Sequence, residues 1–148
     1  MEVADLITPE RVIVGLRAND KAQLLQDLSR RAASLLTVTP QSIISVLQAR
    51  EQLGSTGLGR GFALPHARLE GLRAFFGMFT RLHRPIEFQA IDEKPVDLVF
   101  LLLIPPDAGG KHVAALAAIS RHLRDQAVAA RLREAPSAAA LYALLAGA

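Results

Sequence analysis

The segment VDLVFLLLI, Val96 to Ile104, constrains this chain more than any other. Pro95 stands before it and Pro105-Pro106 after it. Proline lacks a backbone N–H and fixes its own φ, so the run is bounded at both ends. It is far shorter than the ~20 residues a membrane-spanning helix needs. It is also too uniformly apolar for a strand with one wet face. It reads as a central strand buried on both faces, strongest over Leu98 to Ile104. Such a strand needs cover on each side, and the remaining sequence supplies it.

Before the run, Arg11 to Leu16 alternates weakly and predicts a short strand. Asn19-Asp20 can cap a helix carrying Leu24, Leu25, Leu28, Ala32 and Leu35 on one face. Thr39-Pro40 starts a second helix with Ile43, Ile44, Val46 and Leu47, ending near Gln52. Four glycines between Gly54 and Gly61 then exclude a regular helix. Phe62 to Leu64 reads as a short strand ending at Pro65, Leu72 to Leu82 as a longer one, and Pro85-Ile86 to Ile91 as a loop or short strand. After the run, Gly109-Gly110 precedes a helix from Lys111 to about Arg124. A second follows from Gln126 to Glu134, and a last one, set off by Pro136, from Ser137 to Leu145. The order is strand, two helices, several strands, then helices. That order predicts an α/β fold in which helices cover a mixed sheet. The chain of 148 residues suits a single domain, 1–148.

Composition removes several classes of function. There are no cysteines, so disulfides, zinc thiolates and cysteine nucleophiles are excluded. The N-terminal MEVADLITPERV lacks the basic-then-apolar pattern of a signal peptide, and the expectation is a cytoplasmic protein without membrane insertion. A formal net charge of +3 favours an acidic or phosphorylated partner only weakly. Aromatic residues make up 5%, too few for stacking platforms, which argues against nucleic acid. The arginines at 121, 124, 131 and 133 read as solvated helix faces. Histidine spacings match no zinc pattern, so neither metal nor cofactor is expected. GLGRGF is not a dinucleotide or P-loop fingerprint, and Ser120 and Ser137 lack a nucleophile-elbow setting.

The chemistry therefore falls to histidine. His83 sits in a turn beside Pro85, and His122 reads as a surface residue of a helix. His66 differs. In GRGFALPHAR it follows Pro65 at a strand exit, on a stiff stem. Its neutral ring is nucleophilic at one nitrogen while the other is hydrogen-bonded. A loop histidine satisfied by backbone remains the plain alternative. His112 follows Gly109, Gly110 and Lys111 at a helix start, where free N–H groups and the helix dipole suit an anion. An ordinary polar first-turn residue fits as well. Arg50, just before the glycine-rich loop, offers a fork for phosphate or carboxylate, or is a surface arginine at a helix C-terminus. Ser55 and Thr56 offer hydroxyls to phosphate oxygens or merely cap turns. A histidine-based hydrolase would need Glu70, Asp92 or Glu93 folded against His66.

REQLGSTGLGRGFALPHARLEGL, with PIEFQAIDEKPVDLVFLLLIPPDAGGKHVAALAAISRHLRD, resembles the IIA domain of the bacterial phosphotransferase system. The likeness is to the mannitol/fructose class, and within it to the nitrogen-regulatory branch, over about Leu6 to Leu145. The resemblance implies a three-layer α/β fold with a mixed sheet between helices. It implies that His66 accepts a phosphoryl group from a phosphohistidine carrier of the HPr/NPr type. The family's second active-site histidine falls on His112 and its arginine on Arg50, with Ser55, Thr56 and the helix start at Gly110 as phosphate support. It further implies that the phosphorylation state regulates partners in nitrogen metabolism and potassium homeostasis, such as a potassium transporter or a sensor kinase. The alternative is a sugar-uptake phosphocarrier that passes phosphate to a IIB domain. An apolar rim of Leu58, Phe62 and Leu69 is expected to meet the carrier. One departure stands out. The family motif usually reads Pro-His-Gly, and this chain has Ala67, which would be strained if the position needs positive φ.

Overall fold

The computed structural model describes residues 1–147. Two short 3-10 turns, Val3–Asp5 and Pro9–Arg11, lead into β1 (Val12–Leu16). Helices α1 (Lys21–Ser34) and α2 (Pro40–Gln52) follow, then β2 (Gly57–Gly59), β3 (Phe62–Ala63), β4 (His66–Arg68), β5 (Phe76–Ile86) and β6 (Val96–Ile104). Helices α3 (Lys111–Arg124), α4 (Gln126–Glu134) and α5 (Ala138–Leu145) complete the chain. Caps set several of these boundaries. Asp20 accepts from Gln23 N, Thr39 from Ser42 N with Pro40 at the first helical position, and Ser137 from Ala140 N.

The sheet is mixed and runs β1-β5-β6-β3-β2, with β4 also on β6. β6 is its centre. It is antiparallel to β5 on one edge and parallel to β3 and β4 on the other. Its side chains alternate as the apolar run requires. Leu98, Phe100, Leu102 and Ile104 pack with Ala115, Ile119 and Leu123 of α3, Leu132 of α4 and Leu141 of α5. Val99, Leu101 and Leu103 pack with Leu24 and Leu28 of α1 and Ile43 and Leu47 of α2. Helices therefore cover both faces, as expected for a three-layer α/β fold.

β3 and β4 form one broken rail along β6. Phe62 and Ala63 pair with Leu98 and Val99, and His66 to Arg68 pair with Leu102 to Ile104. The break is Leu64-Pro65. Pro65 cannot donate, but its carbonyl accepts from Leu102 N at 3.0 Å. Leu64 turns its N–H the other way, to Thr56 O at 2.9 Å. His66 is thus the first residue of a strand, where the sequence suggested a strand exit.

Other boundaries also differ from expectation. β5 begins at Phe76, four residues later than Leu72, because β6 ends before Pro105 and pairs Phe76 through Leu103. Its far end runs on to Ile86, past the expected stop at Leu82. The ladder shifts register between Arg81 and Ile86, and β1 pairs only as far as Leu82, so Pro85 interrupts no continuous pairing. His83 accordingly lies on a strand, exposed, rather than in a turn. His122 is half-buried, its Nε2 lying 2.8 Å from Leu144 O. Arg133 is not merely solvated. It forks onto Asp97 at 2.9 Å and donates to Arg60 O at 2.8 Å, closing the β2–β3 turn. Arg60 at that turn has φ of 57°, between Gly59 and Gly61, both also at positive φ.

Candidate functional site

The site forms where the end of α2, the glycine-rich loop, β4 and the start of α3 converge. His66 is half-buried. Its Nδ1 lies 2.8 Å from Leu64 O, the carbonyl released by the Leu64-Pro65 break. A carbonyl only accepts, so Nδ1 carries the proton and Nε2 keeps its lone pair. Burial pushes the imidazole below its ordinary range. The Leu64 carbonyl opposes that, the charge of Arg50 adds to it, Glu51 opposes it, and His112 adds to it. The neutral ring is the favoured form, and Arg50, Glu51 and His112 all lie near enough to act on it.

Arg50 and Glu51, consecutive on the last turn of α2, grip the loop from two sides. Arg50 Nη1 donates to Gly54 O at 3.0 Å. Glu51 Oε1 accepts from Thr56 N at 3.0 Å, and its Oε2 accepts from the Thr56 hydroxyl. Lys21 Nζ closes the arrangement 2.8 Å from Glu51 Oε1, with the two side chains 16% and 7% exposed. The ammonium also stands 4.5 Å over the Phe88 ring. The loop comes very close to its neighbour. A Cβ on Gly57 would lie 2.8 Å from Ala90 Cα, so only glycine fits there. In this arrangement Ser55 Oγ donates to Phe88 O at 2.9 Å and accepts from Gly57 N at 3.0 Å. Both hydroxyls therefore brace the loop.

On the opposite side, Gly110 caps α3 without any side-chain cap, and Gly109 before it has φ of 61°. Lys111 N and Val113 N already bond to Ala108 O and Gly110 O, each at 3.1 Å, and the dipole end still favours an anion. His112, in the first turn, is half-buried, and its Nδ1 lies 2.8 Å from Gly109 O. Arg68, two residues after His66, reaches over to the same loop. Its guanidinium contacts Pro105 O and Pro106 O, both at 3.3 Å, Gly109 O at 3.2 Å and His112 Nδ1 at 3.1 Å.

Arg68 links β4 to His112, and the charges of Arg50 and His112 act on the His66 ring, with Gly110 at the start of α3. Glu51 and Arg68 are additions that sequence reasoning missed. Their only signal was position, one beside Arg50 and the other two residues beyond His66. The carboxylates weighed for hydrolysis do not take Glu51's place. Asp92 accepts from Arg60 N at 2.9 Å and Lys94 N at 3.1 Å, and these N–H groups hold its carboxyl below the ordinary range. Of the expected rim, Phe62 and Leu69 are buried in the cores, and Leu58 is half-buried. The exposed apolar residues next to site residues in the chain are Leu53, 85% exposed, and Val113, 62% exposed. Ala67 lies within β4, paired with Leu103, and is not among the residues at positive φ. The position needs no glycine in this fold. Among the described residues, no group of three or more histidine or acidic side chains is placed to hold a metal ion, and no helix is long and apolar enough to cross a membrane.

Comparison with known proteins shows the family and the fold. The family described as "Phosphoenolpyruvate-dependent sugar phosphotransferase system, EIIA 2" matches residues 5–148. A nitrogen regulatory protein of Bradyrhizobium diazoefficiens is 47% identical over 99% of this chain and 95% of its own length. That of Escherichia coli K12 is 37% identical over 98% and 90%. The crystal structure of nitrogen regulatory protein IIA-Ntr from Neisseria meningitidis superimposes with a TM-score of 0.92, at 30% identity, over 97% of this chain and 98% of that one. Mannitol IIA of Escherichia coli shares the fold with a TM-score of 0.78 at 20% identity, over 94% and 98%. The chain belongs to the EIIA 2 family of the phosphoenolpyruvate-dependent phosphotransferase system, and several of its relatives within that family are nitrogen regulatory proteins.

Proposed function

We propose that His66 is the phosphoryl acceptor of a nitrogen-type phosphotransferase chain, and that its phosphorylation state regulates partner proteins. One observation carries this: Leu64 O accepts the Nδ1 proton of His66 and leaves the Nε2 lone pair free, on a ring that the charges of Arg50 and His112 reach. In the step, Nε2 attacks phosphorus in line as the N–P bond of a carrier phosphohistidine breaks. The bonding pair returns to the carrier's ring nitrogen, the carrier ring leaves as neutral imidazole with a proton on its other nitrogen, and His66 keeps its Nδ1 proton throughout. The protein's task is to position donor and acceptor and to offset charge on the equatorial oxygens. Arg50, His112 and the dipole end of α3 at Gly110 supply that charge compensation, while Thr56 and Ser55 hold the loop in shape. Leu53 and Val113 form the apolar part of the docking face for the carrier.

The relatives' names favour regulation over sugar uptake. A phosphoryl group carries roughly −2 charge and changes which surface can dock at this face. A potassium transporter or a sensor kinase is a candidate target. The protein would be mixed with phosphoenolpyruvate, the first enzyme of the system and its histidine carrier, and its intact mass recorded. Gain of one acid-labile phosphoryl group, lost in His66→Ala and slowed in His112→Ala, supports the proposal. No gain with a competent carrier overturns it. Onward transfer to a IIB domain with sugar phosphorylation would move the assignment to sugar uptake.

A further inference from the structure

We propose that Arg68 is a positioning residue that fixes the tautomer of His112. It places the ring proton on Nε2 and so makes His112 a hydrogen-bond donor toward the phosphoryl site. This rests on the reading of His112 as the partner of His66.

Two neighbours compete for His112 Nδ1 and make opposite demands. Gly109 O, at 2.8 Å, accepts only, so toward it Nδ1 should carry the proton. Arg68 Nη2, at 3.1 Å, donates only, so toward it Nδ1 should present its lone pair. Charge decides between them. A hydrogen bond from a guanidinium is roughly twice as strong as one between neutral groups. Gly109 O also keeps a donor in either case, because Arg68 Nη2 bonds to it at 3.2 Å. Arg68 is itself anchored. Its Nη1 bonds to Pro105 O and Pro106 O, and its backbone pairs with Ile104 of β6.

The two rings then take complementary states. Leu64 O makes His66 an Nδ1–H ring with a bare Nε2. Arg68 makes His112 an Nε2–H ring with its lone pair turned away. Were both rings protonated at Nδ1, neither would have an Nε2 proton to donate to the phosphoryl oxygens.

The test is long-range 1H–15N correlation on 15N-histidine protein at about pH 8.5, above the ordinary imidazole range. His112 should be protonated at Nε2 in the natural chain. In Arg68→Met it should switch to Nδ1, drawn by Gly109 O. A natural chain with His112 protonated at Nδ1, or an unchanged tautomer in Arg68→Met, overturns the proposal. The first reading needs no variant and no phosphate donor, so it stands apart from whether His66 is phosphorylated. Arg68→Met should also slow transfer to His66 roughly a hundredfold, the effect of losing one preorganised donor. In a His112→Ala background the same change should cost nothing more. Further slowing there would show that Arg68 acts other than through His112.

Discussion

The Nδ1 of His66 sits 2.8 Å from the carbonyl oxygen of Leu64, two residues back across Pro65. The ring N–H donates to that carbonyl. The phosphorylated protein should therefore carry its phosphoryl group on Nε2. Long-range 1H–15N correlation of the phosphorylated form distinguishes the isomers. A phosphoryl group on Nδ1 would mean that the ring leaves Leu64 before it reacts.

Burial of His66 sets a pH dependence. Its folded pKa lies below the unfolded value of about 6.5, with burial the leading cause. As pH falls, the unfolded chain takes up this proton first, so stability falls with pH. The contribution of His66 is whole above about pH 6.5 and is lost between that value and its lowered folded pKa. Urea midpoints at about pH 8 and pH 5.5 should drop more in the natural chain than in His66→Gln. Equal drops would mean the buried ring is not the source.

Glu51→Ala would strip three groups of their acceptor: Lys21 Nζ, Thr56 N and the Thr56 hydroxyl. Removing one partner of a largely buried pair costs about 3 kcal/mol. Chemical denaturation should show this loss in Glu51→Ala and a smaller one in Glu51→Gln, which keeps an acceptor. A loss below about 1 kcal/mol in Glu51→Ala would place the pair among solvent-relaxed surface contacts.

Ala67 occupies an ordinary strand position, so restoring the family's usual glycine should bring no benefit. Ala67→Gly should lower stability by about 0.5–1 kcal/mol through backbone entropy and leave the rate of phosphoryl gain unchanged. A faster variant would reveal a constraint at this residue that extended backbone does not explain.

Leu53 caps α2 within the turn that Arg50 grips, and Val113 follows His112 directly. Leu53→Asp and Val113→Asp should raise the carrier concentration needed for half-maximal transfer about tenfold, consistent with loss of one apolar anchor. The thermal midpoint should hardly move, because both side chains are exposed. Unchanged carrier dependence in both variants would place the docking face elsewhere.

Much of the architecture was legible because it rests on local rules. The proline-bounded run had to be β6, and the caps at Asp20, Thr39 and Ser137 marked their helices. His66, His112 and Arg50 were singled out by their proline, glycine and helix-end contexts, although each also fitted a plain structural role. Glu51 and Arg68 did not stand out, because their meaning lies in distant partners. Lys21 is thirty residues before Glu51, and Gly109 is forty-one beyond Arg68. Phe62 and Leu69 were misassigned to the surface for a related reason. Beside a site in sequence, each nonetheless points into a core that other segments complete.

The broken rail along β6 carries one more consequence. His66 is fastened to the most deeply buried strand of the sheet, with helices packed on both faces. Such a support has little freedom to yield, so a group added at Nε2 would be displayed rather than absorbed. The message would then be written as a patch of negative potential on an unchanged outline. A partner would have to tell the two forms apart by charge, and the discrimination should fade as added salt screens that charge.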